Sequence, residues 1–303
     1  MRFRAPEMAD APAVLAVLEA RDRVDLGEVE HSLEDLVGEW RLSDFDLERG
    51  AQVVLTTDGR IVAYAAVRRP GAYAVVAPEH EGRGIGSRLL EWAEQREREL
   101  VRDVHRQWVA GANTSARRLL TGAGYHPARS YYRMVRSLDD APARPAVPAG
   151  YALRSVDVLR DVAAMHAVDA ASFAPAPDYE PESLAEFTEE HLKAHDFDAG
   201  LSGVASHEGR IVGFLLAGPR PEERVGYVHI LAVAPEHQDR GVGTALLLGA
   251  FAAFAKAGLL EARLGVASYN ERGLRVYERA GMTMRHRFDI YERPIGLASG
   301  AGQ

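Results

Sequence analysis

The stretch Val233-Ala234-Pro235-Glu236-His237-Gln238-Asp239-Arg240-Gly241-Val242-Gly243-Thr244 decides how this chain folds, because its pattern occurs a second time. The echo is Val76-Ala77-Pro78-Glu79-His80-Glu81-Gly82-Arg83-Gly84-Ile85-Gly86-Ser87, 157 residues earlier. The same offset carries Asn113 onto Asn270 and Ala123-Gly124 onto Ala280-Gly281. Upstream the offset is 150, from Arg4 to Arg154 and from Asp58-Gly59-Arg60-Ile61-Val62-Ala63 to Glu208-Gly209-Arg210-Ile211-Val212-Gly213. Self-similarity held at a fixed offset marks a duplicated unit. The step from 150 to 157 predicts a seven-residue insertion in the second copy, placed around Pro219-Arg220-Pro221-Glu222-Glu223. Between the copies, Asp140 to Gly150 is rich in proline and alanine, the composition of a semi-rigid linker. The predicted organisation is an N-terminal domain over 1–138, a linker over 139–150, a C-terminal domain over 151–296 and a tail over 297–303.

Each copy reads as a short opening strand followed by helical patterning, Pro12 to Ala20 and Asp161 to Ser172. Asp58-Gly59 and Glu208-Gly209 between apolar runs predict tight hairpins. In the second copy a strand (Tyr227 to Val233) leads through the glycine loop into a long helix (Thr244 to Ala257), then a strand (Ala262 to Val266) and a last helix (Glu271 to Ala280). Interleaved helices and strands imply an α/β (α+β) mixed sheet, twice over. At 303 residues the chain has room for two such domains. Its net charge of −8 offers no general attraction for nucleic acid or anionic lipid. The absence of cysteine excludes disulfides, thiolate metal sites and a cysteine nucleophile. Neither a signal-peptide core nor an apolar run of the ~20 residues needed for a membrane span is present, so a cytoplasmic, soluble protein is expected.

Gln238-Asp239-Arg240-Gly241-Val242-Gly243-Thr244 lies between a strand and a helix, where free amides and the positive helix end converge on an anion site. A tight connection alone would also explain it. The loop lacks the lysine of a phosphate-binding Walker loop and the third glycine of a dinucleotide fingerprint. With the downstream run Gly265-Val266-Ala267-Ser268-Tyr269-Asn270-Glu271-Arg272-Gly273-Leu274-Arg275-Val276-Tyr277, it resembles the acyl-CoA signature of the GNAT superfamily of N-acetyltransferases. The resemblance covers nearly the whole chain, since both copies carry it. Two GNAT-like domains in tandem are similar in layout to the mycothiol synthases, although no residue set singles out that substrate.

The resemblance implies acetyl-CoA as cosubstrate, with its pyrophosphate on the amides of Arg240, Gly241, Val242, Gly243 and Thr244, beside Gln238 and Asp239. It further implies that the pantetheine arm pairs along Leu231, Ala232 and Val233, touches Asn270 and ends near Tyr277. No metal is implied. An alkyl amine is mostly protonated at neutral pH, so transfer needs a base, a donor to the developing oxyanion and an acid for the departing thiolate. Tyr277 is the candidate acid, a phenol of pKa near 10 being protonated at neutral pH; a packing tyrosine is the plain alternative. Asn270 also stands where a helix N-cap would. His229 is the candidate base, on a strand predicted to put residues 227, 229 and 231 on one face; an ordinary sheet histidine is the alternative. Glu222 and Glu223, in the insertion, are further candidates for the base or simply solvated.

The copies differ. By offset the first has Leu120 opposite Tyr277, Ala72 opposite His229, Pro70 opposite Tyr227 and Glu81 opposite Gln238. A leucine cannot protonate a thiolate, so the first copy is predicted to lack the chemistry. It retains Val76, Arg83, Gly84, Gly86, Ser87 and Asn113, so acetyl-CoA binding there stays open. Phe173, Pro175, Pro177, Asp178, Tyr179, Glu182 and Glu186 form an acidic and aromatic mixture suited to a small-molecule primary amine, or to an ordinary amphipathic surface. A peptide acetyltransferase and a sensor without turnover are the competing classes.

Overall fold

The computed structural model describes residues 1–68, 71–140, 146–177 and 179–296. Pro70, Asp178, most of the Pro/Ala stretch (141–145) and the tail (297–303) lie outside the described residues.

The first copy runs β1 (Arg2–Arg4), α1 (Ala11–Asp25), α2 (Leu33–Trp40), α3 (Leu47–Gly50), β2 (Ala51–Leu55), β3 (Ile61–Arg68), β4 (Gly71–Val76), α4 (Ile85–Glu99), β5 (Val104–Ala110), α5 (Thr114–Gly122) and β6 (His126–Ser137). The second repeats the order as β7 (Tyr151–Ser155), α6 (Val158–Phe173), α7 (Leu184–Phe187), β8 (Gly203–His207), β9 (Arg210–Arg220), β10 (Val225–Val233), α8 (Val242–Lys256), β11 (Glu261–Ala267), α9 (Glu271–Arg279) and β12 (Thr283–Pro294).

The repeated arginine has a structural purpose. Arg4 forks onto Asp10 at 2.6 and 2.8 Å, and Arg154 onto Asp161 at 2.6 Å through each nitrogen, fixing the opening strand of each copy to the start of its first long helix. The fork geometry of guanidinium and carboxylate explains why arginine is needed.

Two compact units result, but they are not the two sequence copies. One contains Met1–Tyr131 and the chain from His286 onward; the other contains Tyr132–Arg285. The first unit's sheet runs β1-β2-β3-β4-β5-β12, and the second's β6-β11-β10-β9-β8-β7. In the first, Phe288 to Pro294 of β12 pair antiparallel with Val104 to Ala110 of β5. In the second, the Leu138 amide bonds the Leu260 carbonyl at 2.8 Å. Each unit thus completes its sheet with the last strand of the other copy, so the split between units does not fall in the Pro/Ala stretch predicted to divide the domains.

In the second unit α8 buries Leu247, Phe251 and Phe254 completely against the sheet. Gly226 makes this possible: a Cβ there would fall on the Phe254 ring. On the other face α6 and the α7 turn bury Met165 and Phe187 against Phe214 and Leu216 of β9. No described helix is long and apolar enough to cross a membrane.

Candidate active site

β10 carries the site, and its irregularity is what builds it. Val228 pairs with Ala217 of β9, but the next pair is Ile230 with Leu216, so His229 is the extra residue of a β-bulge. A bulge re-aims side chains and flips the alternation beyond it. Val228 therefore packs with Leu231 and Val233 on the α8 side, while Ile230 and Ala232 pack on the α6 side. Residues 227, 229 and 231 do not share one face as predicted. Tyr227 and His229 stay together, ring centroids 5.2 Å apart, and Leu231 turns the other way.

The bulge also corrects the alignment of the copies. In the first unit β3 and β4 pair without interruption, Arg68 with Gly71 and Val67 with Ala72. The matching pairs in the second are Gly218 with Tyr227 and Ala217 with Val228. Gly71, not Pro70, is thus the counterpart of Tyr227, and Ala72 is the counterpart of Val228. His229 has no counterpart. Two residues separate Arg68 from Gly71 and eight separate Gly218 from Tyr227, so the hairpin holds six of the seven added residues and the bulge holds the seventh.

Past the bulge the sheet opens. The parallel ladder of β10 with β11 covers only Val225–Val228 against Glu261–Leu264, leaving Leu231, Ala232 and Val233 unpaired on that side. The wedge leads to the start of α8. There Gly241 is left-handed (φ 82°), and no side chain caps the helix, so its first amides are free to bind an anion. Only glycine takes that conformation without strain. Gly243 has ordinary φ, and a Cβ there would make only van der Waals contact with Val233 at 3.7 Å, so nothing in the chain itself demands glycine. Asp239 keeps a left-handed φ of 57°, where the first copy has Gly82 at 70°. Arg272 spans the loop, bonding Gln238 and pairing with Asp239 at 3.3 Å. Gln238 and Ser172 both donate to the Val233 carbonyl, at 2.9 and 3.0 Å. Arg240 is exposed at the loop tip. The wedge, the free amides and the optional glycine suit an extended ligand with an anionic middle, which fits acetyl-CoA.

Asn270 caps α9, its Oδ1 accepting from the Gly273 amide at 2.8 Å. Tyr277 lies one helical stretch on, 8% exposed, in the core cluster with Val228, Leu264 and Val266. Burial pushes its phenol up to about 12. Among the described residues its hydroxyl has no hydrogen-bond partner, which is unusual for a buried tyrosine.

His229 faces a residue that no motif indicated. Asp196, 8% exposed, sets Oδ2 at 3.3 Å from His229 Nε2. Tyr227 is bonded by Arg133 and stacked by Arg220, whose guanidinium is 4.4 Å from the ring centre. Glu223 sits in the exposed turn before β10, engaged by Arg263 at 2.8 Å, and Glu222 beside it is exposed. On the α6 side, Glu182 accepts from His191 at 3.2 Å, while Glu186 is the capping partner of Ser183. Asp169, also unmarked by the sequence, has its carboxyl raised to about 6 by burial, with Glu182 reinforcing the shift and His191 opposing it.

The first unit has a cleft of about 780 Å³ in the corresponding place, lined among others by Val76, Gly84, Gly86, Ser87, Asn113 and Leu120. Gly84 is again left-handed (φ 75°) at an uncapped helix start. Arg83 turns back onto the Glu79 carbonyl at 3.2 Å. Charges differ: Arg21 pairs with Glu81 and with Asp25 at 2.7 Å, and Asn113 donates to Asp25 at 2.9 Å. Leu120 is buried, 3% exposed, with Leu90 and Val109.

Comparison with known proteins follows the same division. The model of the acetyltransferase (GNAT) family matches twice, over residues 16–125 and 164–282. The mycothiol acetyltransferase of Streptomyces griseus is 33% identical over 299 residues, covering 95% of this chain and 92% of that protein. That of Streptomyces coelicolor is 32% identical over 302 residues, with the same coverage. Among solved structures, a GCN5-related N-acetyltransferase from Sphaerobacter thermophilus superposes with a TM-score of 0.82 at 28% identity, over 97% of this chain and 96% of that one. A tandem GNAT protein from the clavulanic acid biosynthesis pathway shares the fold, with a TM-score of 0.76 at 18% identity, over 98% and 99%.

Proposed function

Because the chain belongs to the GNAT family of acetyltransferases, as two matches over most of its length establish, we propose that its Tyr132–Arg285 unit moves acetyl from acetyl-CoA to a primary amine of a small molecule. The orphaned phenol of Tyr277 is the observation that carries this reading. A hydroxyl without a protein partner, at the accessible end of an otherwise buried tyrosine, is explained by a ligand atom that completes it. The relatives' shared name supports a small-molecule acceptor of the mycothiol type over a peptide.

Acetyl-CoA, when bound, supplies the thioester that is attacked. The residues of the chain do the rest. Amides of Gly241 to Thr244, with Arg240 and Arg272 near them, hold the anionic middle of the cosubstrate. His229 takes the proton that blocks the amine's lone pair. Tyr277 remains protonated throughout the physiological range and donates to the departing sulfur. With no cysteine in the chain, direct attack in a ternary complex is the natural scheme for the amine.

The test is CoA release in the presence of a panel of amines, including the acceptor used by mycothiol acetyltransferases, for the native chain and Tyr277→Phe. The expected result is turnover with the native protein and a kcat lower by about 10²-fold in the variant, the usual worth of one positioned acid. Equal turnover in the two proteins would remove the acid from Tyr277.

A further inference from the structure

We infer that Asp196 is a positioning residue, which orients His229 and strengthens it as the base of the transfer; the inference rests on the reading of His229 given above. Three independent features of the chain converge on this pair. His229 exists as a bulge residue, an addition relative to the uninterrupted β4, and a bulge aims a side chain that a regular strand could not. Asp196 comes from the loop before β8, 33 residues upstream, and its side chain is 7% exposed while that of His229 is 22% exposed. Such a carboxylate is withdrawn from water and faces an imidazole that still reaches it.

The third feature is Gly218. Its Cβ would fall on the Asp196 carbonyl and close to Phe197, so the loop backbone lies directly on β9 where a side chain would stand. The Asp198 amide then bonds the Ala217 carbonyl at 2.9 Å, and Ser202 Oγ accepts from the Ala217 amide at 2.9 Å while donating to the Asp198 carbonyl at 2.7 Å. The loop is locked to the strand at Ala217, directly beside Gly218, and Gly218 pairs with Tyr227, two residues before the bulge. In the first copy Arg68 occupies the place of Gly218, so no loop can lie there, and no bulge histidine exists. The Asp-Phe-Asp string recurs as Asp44-Phe45-Asp46 in the first copy, but the glycine seat and the bulge occur together only in the second.

At 3.3 Å the Asp196 carboxylate makes an ion-pair approach to His229 Nε2 without hydrogen-bond alignment, and a negative charge so placed stabilises the imidazolium once formed. Among the described residues, Tyr227 lies beside the ring, Arg133 and Arg220 lie across Tyr227, and His195 stands within 4.8 Å of the Asp196 carboxylate.

The experiment compares the full-length native chain, Asp196→Asn, Asp196→Glu and His229→Ala. Two readouts are used: pH profiles of kcat and KM with the amine turned over best, and NMR titration of the His229 ring. Asp196→Asn is expected to lower kcat at least 10-fold with KM nearly unchanged, and to move both the acidic limb of the profile and the ring titration to lower pH by about one unit, the scale of a lost neighbouring charge. Asp196→Glu should restore part of both. An unshifted ring titration in Asp196→Asn overturns the inference whether or not turnover is found. So does an unshifted profile when His229→Ala is inactive. If His229→Ala is fully active while the ring titration still shifts, the base assignment fails, and with it the catalytic purpose of the pair; this outcome is distinct from loss of the pairing itself.

Discussion

Asn270 and Asn113 are the same residue in the same local frame, and they show how much a single side chain's surroundings decide. Both cap a helix through Oδ1, at 2.8 Å to the Gly273 amide and 2.9 Å to the Ala116 amide. Asn113 Nδ2 is consumed by Asp25, whereas Asn270 Nδ2 has no partner among the described residues. Replacing either by alanine is expected to cost about 1 kcal/mol of stability, the usual loss of an N-cap, measured by urea denaturation. Only Asn270→Ala should also raise the KM for acetyl-CoA; an equal KM in both variants would leave Asn270 as a cap alone. The two possible roles of Asn270 were readable from its place before Glu271. The contrast with Asn113 was not, because Asp25 arrives from α1, nearly ninety residues earlier in the chain.

At the scale of elements, the hairpin of β9 and β10 separates the two copies. Its glycines illustrate two different demands. Gly226 admits the Phe254 ring, and Gly218 admits the backbone of the 196–198 loop. Gly218→Ala is expected to destabilise the chain by about 1–3 kcal/mol, the range for overpacking, and to lower kcat along with it, since the displaced loop carries Asp196. Thermal unfolding and turnover of that one variant check both. An alanine tolerated without change in either would mean that the loop does not sit on the strand. The offset change from 150 to 157 told that residues had been added here, but a shift in numbering cannot distinguish a longer turn from a bulge. The pairing register can, because it shows where the alternation breaks. The helix α8, by contrast, was legible almost to its ends from its apolar pattern and its preceding glycines; it runs Val242–Lys256 against a predicted Thr244 to Ala257.

For the whole molecule, acid sensitivity follows from buried ionisable groups. His105 is fully buried, and desolvation lowers it to about 4. The unfolded chain, with an ordinary histidine near 6.5, then binds the proton that the folded one refuses, so stability falls as pH drops from about 6.5 towards 4. The loss approaches about 3 kcal/mol at the low end, at 1.36 kcal/mol per pKa unit, less an offset from Glu97, whose carboxyl burial raises, so that the folded state takes up a proton there before the unfolded chain does as pH falls. Below about pH 4 a second loss begins. Asp10 and Asp161, held low by their arginines, contribute stability that is present above the ordinary carboxylate range and disappears as pH falls through their depressed values. Urea denaturation at pH 7, 5 and 3 should show both steps, and His105→Gln should flatten the first while sparing the second. A first step unchanged in that variant would assign it elsewhere.

What the sequence determined by itself was whatever depends on local pattern and on repetition. The duplication, the mixed α/β character, the strand-to-helix loop with Gly241 and Gly243, and the asymmetry of Tyr277 against Leu120 all belong here. Each follows from residue type at fixed spacing, which survives any later packing. Tertiary structure alone decided which strands complete which sheet, that His229 stands on a bulge, and that Asp196 meets it over Gly218. These depend on hydrogen-bond register and on contacts between segments far apart in the chain, and a single sequence records neither.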